Sequence, residues 1–237
     1  MTKSSSIYVF QLVILCFILA IGGGIHSEEV QIIPVAGFDS DTMKRGSPAG
    51  WDLEKSKGVA DLSLEKEGDI FALYLKSDPS SSFGIKREIA VDPATHPFLN
   101  WKWKALKLPV GGDVRSKDRD DQALQIYVAF KATGWPAKLN TPVIGYIWDN
   151  EAPKDTVTKS PQTFADKVRY IVLRDKHDGL DEWYSEKRNV AEDYAKLFSD
   201  IDDGKVRKIE GISIYINSQH TKSEAESALY DIFFSSR

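Results

Sequence analysis

Cysteine is almost missing from this 237-residue sequence: the single one, Cys16, lies inside an apolar run near the start. Thiolate nucleophiles, cysteine zinc sites and disulfides are thereby excluded once that run is removed. Histidine is also scarce, with His96, His177 and His220 scattered among loop-type residues further on. A cluster of imidazole metal ligands is not expected from that distribution. An excess of basic residues is lacking too, with 31 Lys and Arg against 35 Asp and Glu. Loss of Lys3 with the leader leaves 30 against 35, a net charge of -5, which disfavours nucleic acid as a partner. The common catalytic signatures are missing as well: there is no G-x-S-x-G, H-E-x-x-H, phosphate-binding P-loop or dinucleotide-binding G-x-G-x-x-G. The stretch "SDIDDGKVRKIE" has the spacing of a calcium loop, but Ile201 falls where an oxygen donor is required.

The apolar run itself is informative. Lys3 precedes Ile7 to Ile21, which is interrupted only by Gln11, and small residues follow through Gly24 and Ser27. The run is short for a membrane span and is followed by Glu28 and Glu29, so it reads as a secretory signal peptide cleaved near Ser27. The expectation is a leader over 1–27 and a single domain over 28–237, periplasmic or secreted, with no membrane attachment after cleavage.

Beyond the leader, apolar and polar residues alternate with a period of two. In "ALQIYVAF" the residues Leu124, Ile126, Val128 and Phe130 share one face while Gln125, Tyr127 and Ala129 share the other. "LNWKWKAL" sets Trp101 and Trp103 opposite Lys102 and Lys104, "VIGYIWDN" groups Ile144, Tyr146 and Trp148, and "EGISIYIN" sets three isoleucines opposite Ser213, Tyr215 and Asn217. About nine or ten such strands, most with one polar face, predict an all-β antiparallel sandwich. One segment breaks the period. In "RNVAEDYAKLF" the residues Val190, Tyr194, Leu197 and Phe198 recur at helical spacing, which predicts a short amphipathic helix around 188–198.

Two groups of residues carry chemistry. Asp120 and Asp121 stand just before a core strand; neighbours on an extended chain diverge, so they read as loop-end acids of which at most one, Asp121 by preference, faces a ligand. In "DEWYSEKRNVAEDY", Trp183 offers a flat apolar face and Glu186 and Arg188 offer directional hydrogen bonds, the mixture that a sugar ring with C–H patches and hydroxyls requires. Tyr127 and Trp148 are assigned to the same cleft. A hydrolase or lyase would need Asp120 or Asp121 to work with Glu186 or Asp193. A cell-envelope scaffold, with every aromatic in the core or at a protein interface, is the remaining alternative.

Four blocks, "HPFLNWKWKALKLPVGGDVRSKDRDDQALQIYVAF", "GYIWDN", "WYSEKRNVAEDYAKLF" and "IEGISIYINSQHTKSEAESALYDIFF", occur in an order that resembles the bacterial domain-of-unknown-function family 3047. The matching positions are Trp101, Trp103, Asp120, Asp121, Tyr127, Trp148, Trp183, Arg188, Asp193 and Asp231. The chain departs from the family at Asn217, Ser218 and Gln219, where an acidic stretch is usual. The resemblance implies an exported bacterial protein and no particular activity. The fold it suggests looks like the galactose-binding jelly roll of many carbohydrate-binding modules, whose two chain ends often meet around a structural calcium. That analogy makes Asp39 in "AGFDSD" and Asp231 in "LYDIFF" the candidate Ca²⁺ ligands and a glycan the candidate partner.

Overall fold

The computed structural model describes residues 29–38, 43–44 and 46–237, so the leader and Asp39 lie outside the described residues. In chain order the strands begin with β1 (Ile32–Ala36), β2 (Met43–Lys44), β3 (Ser47–Pro48), β4 (Asp52–Lys57), β5 (Asp61–Glu67) and β6 (Ile70–Ser77). They continue with β7 (Ser82–Val91), β8 (Phe98–Lys107), β9 (Leu124–Phe130), a short helix α1 (Ala137–Asn140), β10 (Val143–Trp148), β11 (Val157–Lys159) and β12 (Val168–Arg174). The chain closes with β13 (Tyr184–Asn189), helix α2 (Val190–Leu197), β14 (Ile209–Asn217) and β15 (Ala225–Ser235).

Two sheets form the sandwich predicted from the alternation. The six-stranded sheet runs β13-β8-β15-β6-β5, with β1 also paired to β15, and the seven-stranded sheet runs β11-β12-β10-β9-β14-β7-β4. One pair departs from the expected antiparallel pattern: β10 and β12 are parallel, joined by a connection long enough to carry β11. The β5–β6 hairpin turns tightly, with Glu67 opposite Ile70 and Gly68 at a φ of 59°.

The inner faces are the predicted ones. Leu124, Ile126, Val128 and Phe130 of β9 and Ile212, Ile214 and Ile216 of β14 are buried in one core with Trp101 and Trp103 of β8. Tyr146 and Trp148 of β10 meet those tryptophans from the opposite sheet, at ring-centre distances of 5.4 Å for Trp101–Tyr146 and 5.7 Å for Trp103–Trp148. Trp148 is 0% exposed, so it belongs to the core and not to a cleft. The alternation carries the reason: Trp148 shares parity with Ile144 and Tyr146, which are equally buried.

Helix α2 caps the open edge between the sheets. Asn189 supplies the N-cap, accepting from the Glu192 N–H at 3.2 Å while its own amide donates to the Glu192 carboxylate at 2.8 Å. Val190, Tyr194 and Phe198 seal the core beneath it.

Candidate functional site

A concavity of about 350 Å³ lies on the outer face of the seven-stranded sheet. The same period of two that buries the isoleucines turns Gln125 and Tyr127 of β9 and Tyr215 and Asn217 of β14 outward into it. Ser56 of β4 and Ser82 of β7 extend the floor to one side, and Tyr170 of β12 bounds the other. Asp120, Gln122, Gln162, Gln219 and His220 form the walls, all of them from loops at one end of the strands or from the residues just next to strands.

Two glycines make room for the tyrosine rings. Gly145 stands in register between Tyr127 and Tyr170, and a Cβ there would lie 2.6 Å from Tyr170 Cδ1 and 3.0 Å from Tyr127 Cε1. Gly84 stands opposite Tyr215 in the same way, with a Cβ falling 2.5 Å from Tyr215 Cδ2. Each ring therefore leans over a strand that lacks a side chain at that point. The ring centres follow one another at 5.9 Å for Tyr215–Tyr127 and 6.2 Å for Tyr127–Tyr170. Burial pushes the phenol pKa up in all three, to about 12 for Tyr170, so these groups stay protonated and neutral at physiological pH.

An amide network fixes the polar wall. Gln122 Nε2 donates to Asp120 Oδ1 at 3.0 Å, Gln162 Nε2 donates to Asp120 Oδ2 at 2.8 Å, and Gln125 Nε2 donates to Gln122 Oε1 at 2.6 Å. Asn217 Nδ2 donates to the Asp120 carbonyl at 2.6 Å, its Oδ1 accepts from the Gln122 N–H at 3.0 Å, and Tyr127 donates to Gln125. Tyr215 donates to Glu54 Oε2 at 2.6 Å on the far side. Burial raises the Asp120 pKa, opposed by the amides of Gln162 and Gln122. Gln122 also reaches Asp149 Oδ2 at 3.5 Å. Asp149 is fully buried and pins two loops by accepting from Val114 N at 2.8 Å and Ala152 N at 2.7 Å. Those loops lay Val114 and Ala152 over Ile147 and Val172, covering the neighbouring part of the outer face. The cleft lies beside that cover.

The residues expected to form one site are divided between two sheets. Tyr127 lies in the cleft, and of the acid pair it is Asp120, not Asp121, that lines it. Asp121 is 0% exposed and holds the β14–β15 connection by accepting from Thr221 N at 2.6 Å and Thr221 Oγ1 at 2.8 Å. Glu186 and Arg188 sit on edge strand β13 of the other sheet, where they close the sandwich. Glu186 accepts from Arg174 Nε at 2.7 Å and Trp103 Nε1 at 3.1 Å, and the first of these bonds ties the two sheets together. Arg188 grips Asp193 with Nε at 3.0 Å and Nη2 at 2.6 Å, and Tyr146 donates to the same carboxylate at 2.8 Å. Trp183 is half-buried against Tyr230 at 4.7 Å, with its Nε1 donating to Glu67 at 2.9 Å and Lys104 lying 4.9 Å over its ring. Asp231 is exposed at a φ of 58° beside Lys102 and Lys187. Among the described residues no group of three or more acidic, His or Cys side chains could hold a metal ion. The partner proposed for it, Asp39, lies outside the described residues.

The outward parity of Gln125, Tyr127, Tyr215 and Asn217 is legible in the sequence, whereas Gln162, Gln219 and His220 reach the cleft through loop paths that alternation does not encode. Fold and cleft together define an all-β sandwich with a tyrosine-floored, amide-walled depression on one sheet. The chain belongs to the family described as "Protein of unknown function (DUF3047)", which matches residues 49–233. No curated protein matches it. Among solved structures it is similar to a family 11 carbohydrate-binding module from Clostridium thermocellum in complex with a β-1,3-1,4-mixed-linked tetrasaccharide. The identity is 8%, the TM-score 0.43, and the likeness covers 86% of this chain and 94% of that one. It is also similar to the xyloglucanase domain of NopAA from Sinorhizobium fredii, at 10% identity and a TM-score of 0.43, over 80% of this chain and 95% of that one. A third is a CBM29-2 mutant complexed with mannohexaose, at 10% identity and a TM-score of 0.39, over 88% of this chain and 93% of that one.

Proposed function

We propose that the protein is an exported, non-catalytic glycan-binding module whose ligand lies in the cleft floored by Tyr127, Tyr215 and Tyr170. The leader-like run before residue 28 supports export to the periplasm or the exterior. The observation that carries the binding reading is the tyrosine row over Gly145 and Gly84, bordered by side-chain amides. Aromatic rings offer apolar surface to sugar C–H patches, and amides and a carboxylate offer fixed partners to hydroxyls.

A hydrolytic reading needs a second carboxylate facing the same bond. Glu186 and Asp193 are engaged on the edge between the sheets, and Asp149, which shares Gln122 with Asp120, is sealed beneath loops. This arrangement supports retention of a glycan over its cleavage.

Affinity electrophoresis in gels containing single polysaccharides tests the reading. One or more glycans retard the native protein, Tyr127→Ala and Tyr215→Ala each weaken retention by roughly tenfold or more, and Trp183→Ala leaves it unchanged. Retention that depends on Trp183 and ignores both tyrosines would move the site to the other sheet.

A further inference from the structure

The hydrogen-bond inventory of the cleft points to the chemical class of its ligand, an inference that rests on the glycan-binding reading above. The side-chain amides of four lining residues, Gln122, Gln125, Gln162 and Asn217, are already engaged as donors. The amide of Gln122 serves Asp120 and Asp149, that of Gln125 serves Gln122 and Asn217, that of Gln162 serves Asp120 and the Lys117 carbonyl, and that of Asn217 serves the Asp120 carbonyl. The phenols of Tyr127 and Tyr215 donate to Gln125 and Glu54. An unpartnered acceptor stands beside them. Gln219 Oε1 is shielded from solvent and meets no donor among the described residues, although its side chain lines the cleft.

The charge of the lining tells the same story. It contains the Asp120 carboxylate and neither lysine nor arginine. Lys86, two residues along β7 from Gly84, is held by Glu54 at 2.6 Å. Beside Asp120 the lining holds one imidazole, His220, and among the described residues no lysine or arginine, so an anion entering would meet a carboxylate in a poorly solvated wall, where like-charge repulsion is weakly screened. A hydroxyl can donate to Gln219 and to the open lone pairs of Asp120 at no such cost.

We infer that the ligand is an uncharged glycan that donates hydroxyl protons into the cleft, with Gln219 Oε1, turned to the ligand by rotation of its partly exposed side chain, as one receiving atom, and that uronate, sulfated and phosphorylated glycans are rejected. The test is a titration panel by calorimetry at low and moderate salt. It comprises neutral oligosaccharides from glucan, mannan, galactan and xylan chains, polygalacturonate and alginate oligomers as anions, and glucosamine oligomers as cations. The expected result is binding of at least one neutral chain with little salt dependence and none of the anionic class. Gln219→Leu should weaken that binding by about tenfold with an unchanged melting temperature, because the oxygen it removes supports nothing in the fold. Binding of an oligouronate that fades with salt overturns the inference while leaving the glycan reading intact, as does preference for the free-amine chain. Unchanged affinity in Gln219→Leu removes Gln219 as the receiving atom. Failure of every glycan to bind overturns both this inference and the reading beneath it.

Discussion

Replacing Asp149 by Asn probes the pin that shapes the cleft, and the structure sets both the sign and the size of the effect. Asp149 is fully buried, and desolvation raises its pKa from 3.8 to about 6 despite the opposing hydrogen bonds from Ala152 and Val114. A raised folded-state pKa means that the native protein holds this proton more tightly than the unfolded chain does. Its contribution to stability is then most favourable below about pH 4, declines as pH rises from about 4 to 6, and is constant above that. A shift of about two units corresponds to about 3 kcal/mol across the window, at about 1.4 kcal/mol per unit. Asn does not titrate, and it presents an amide to one of the two N–H groups that the carboxylate accepted, which adds a constant cost of about 1–3 kcal/mol. Urea unfolding of both proteins at pH 4, 5, 6 and 7 separates the two effects. The stability advantage of the native protein over Asp149→Asn should shrink by about 2.4 kcal/mol between pH 4 and pH 7. A pH-independent difference, or an advantage that grows with pH, would refute the assignment of a raised pKa to this buried carboxylate.

Three further outcomes follow from named contacts. Arg188→Ala leaves the buried Asp193 carboxylate without its two-pronged partner and should cost about 3–5 kcal/mol in chemical denaturation, without changing glycan affinity in the molecules that remain folded. Gly145→Ala inserts a methyl 2.6 Å from the Tyr170 ring; it should cost about 1–3 kcal/mol, alter the near-ultraviolet circular dichroism of the tyrosines and weaken binding, whereas Gly134→Ala, with its nearest atom at 3.9 Å, should do none of these. Trp148→Ala opens a cavity between the sheets and should cost about 3–5 kcal/mol by urea unfolding, as expected of a core residue.

Periodicity encodes part of this arrangement and not the rest. Alternation specifies parity, so the buried faces of β9, β10 and β14, and the outward set of Gln125, Tyr127, Tyr215 and Asn217, were all legible. It groups Trp148 with Ile144 and Tyr146, both buried in the structure, so the expectation of Trp148 in a cleft runs against its own parity. Alternation does not say which sheet a strand joins. Trp183, Glu186 and Arg188 looked like neighbours of Tyr127 because they share sugar-binding chemistry, but β13 pairs with β8 in the opposite sheet. There the same polar groups tie the sheets together through Arg174 and fix α2 through Asp193. The Asp120–Asp121 pair was legible as a divergence and not as a choice: which acid faces the cleft depends on the loop ending at Asp120, with a φ of -74° and a ψ of 67°. The β14–β15 turn brings Thr221 onto Asp121 and, in the same stroke, Gln219 and His220 to the cleft, a tertiary arrangement no local pattern announces.

Side-chain amide resonances offer the most direct test of where the ligand sits. In a ¹H–¹⁵N titration with the neutral oligosaccharide that binds best, the NH₂ signals of Gln122, Gln125, Gln162, Asn217 and Gln219 should shift together and saturate with one dissociation constant. The Trp183 indole signal should stay in place. Saturating shifts at Trp183 with the five cleft amides unmoved would contradict the account and place recognition on the six-stranded sheet.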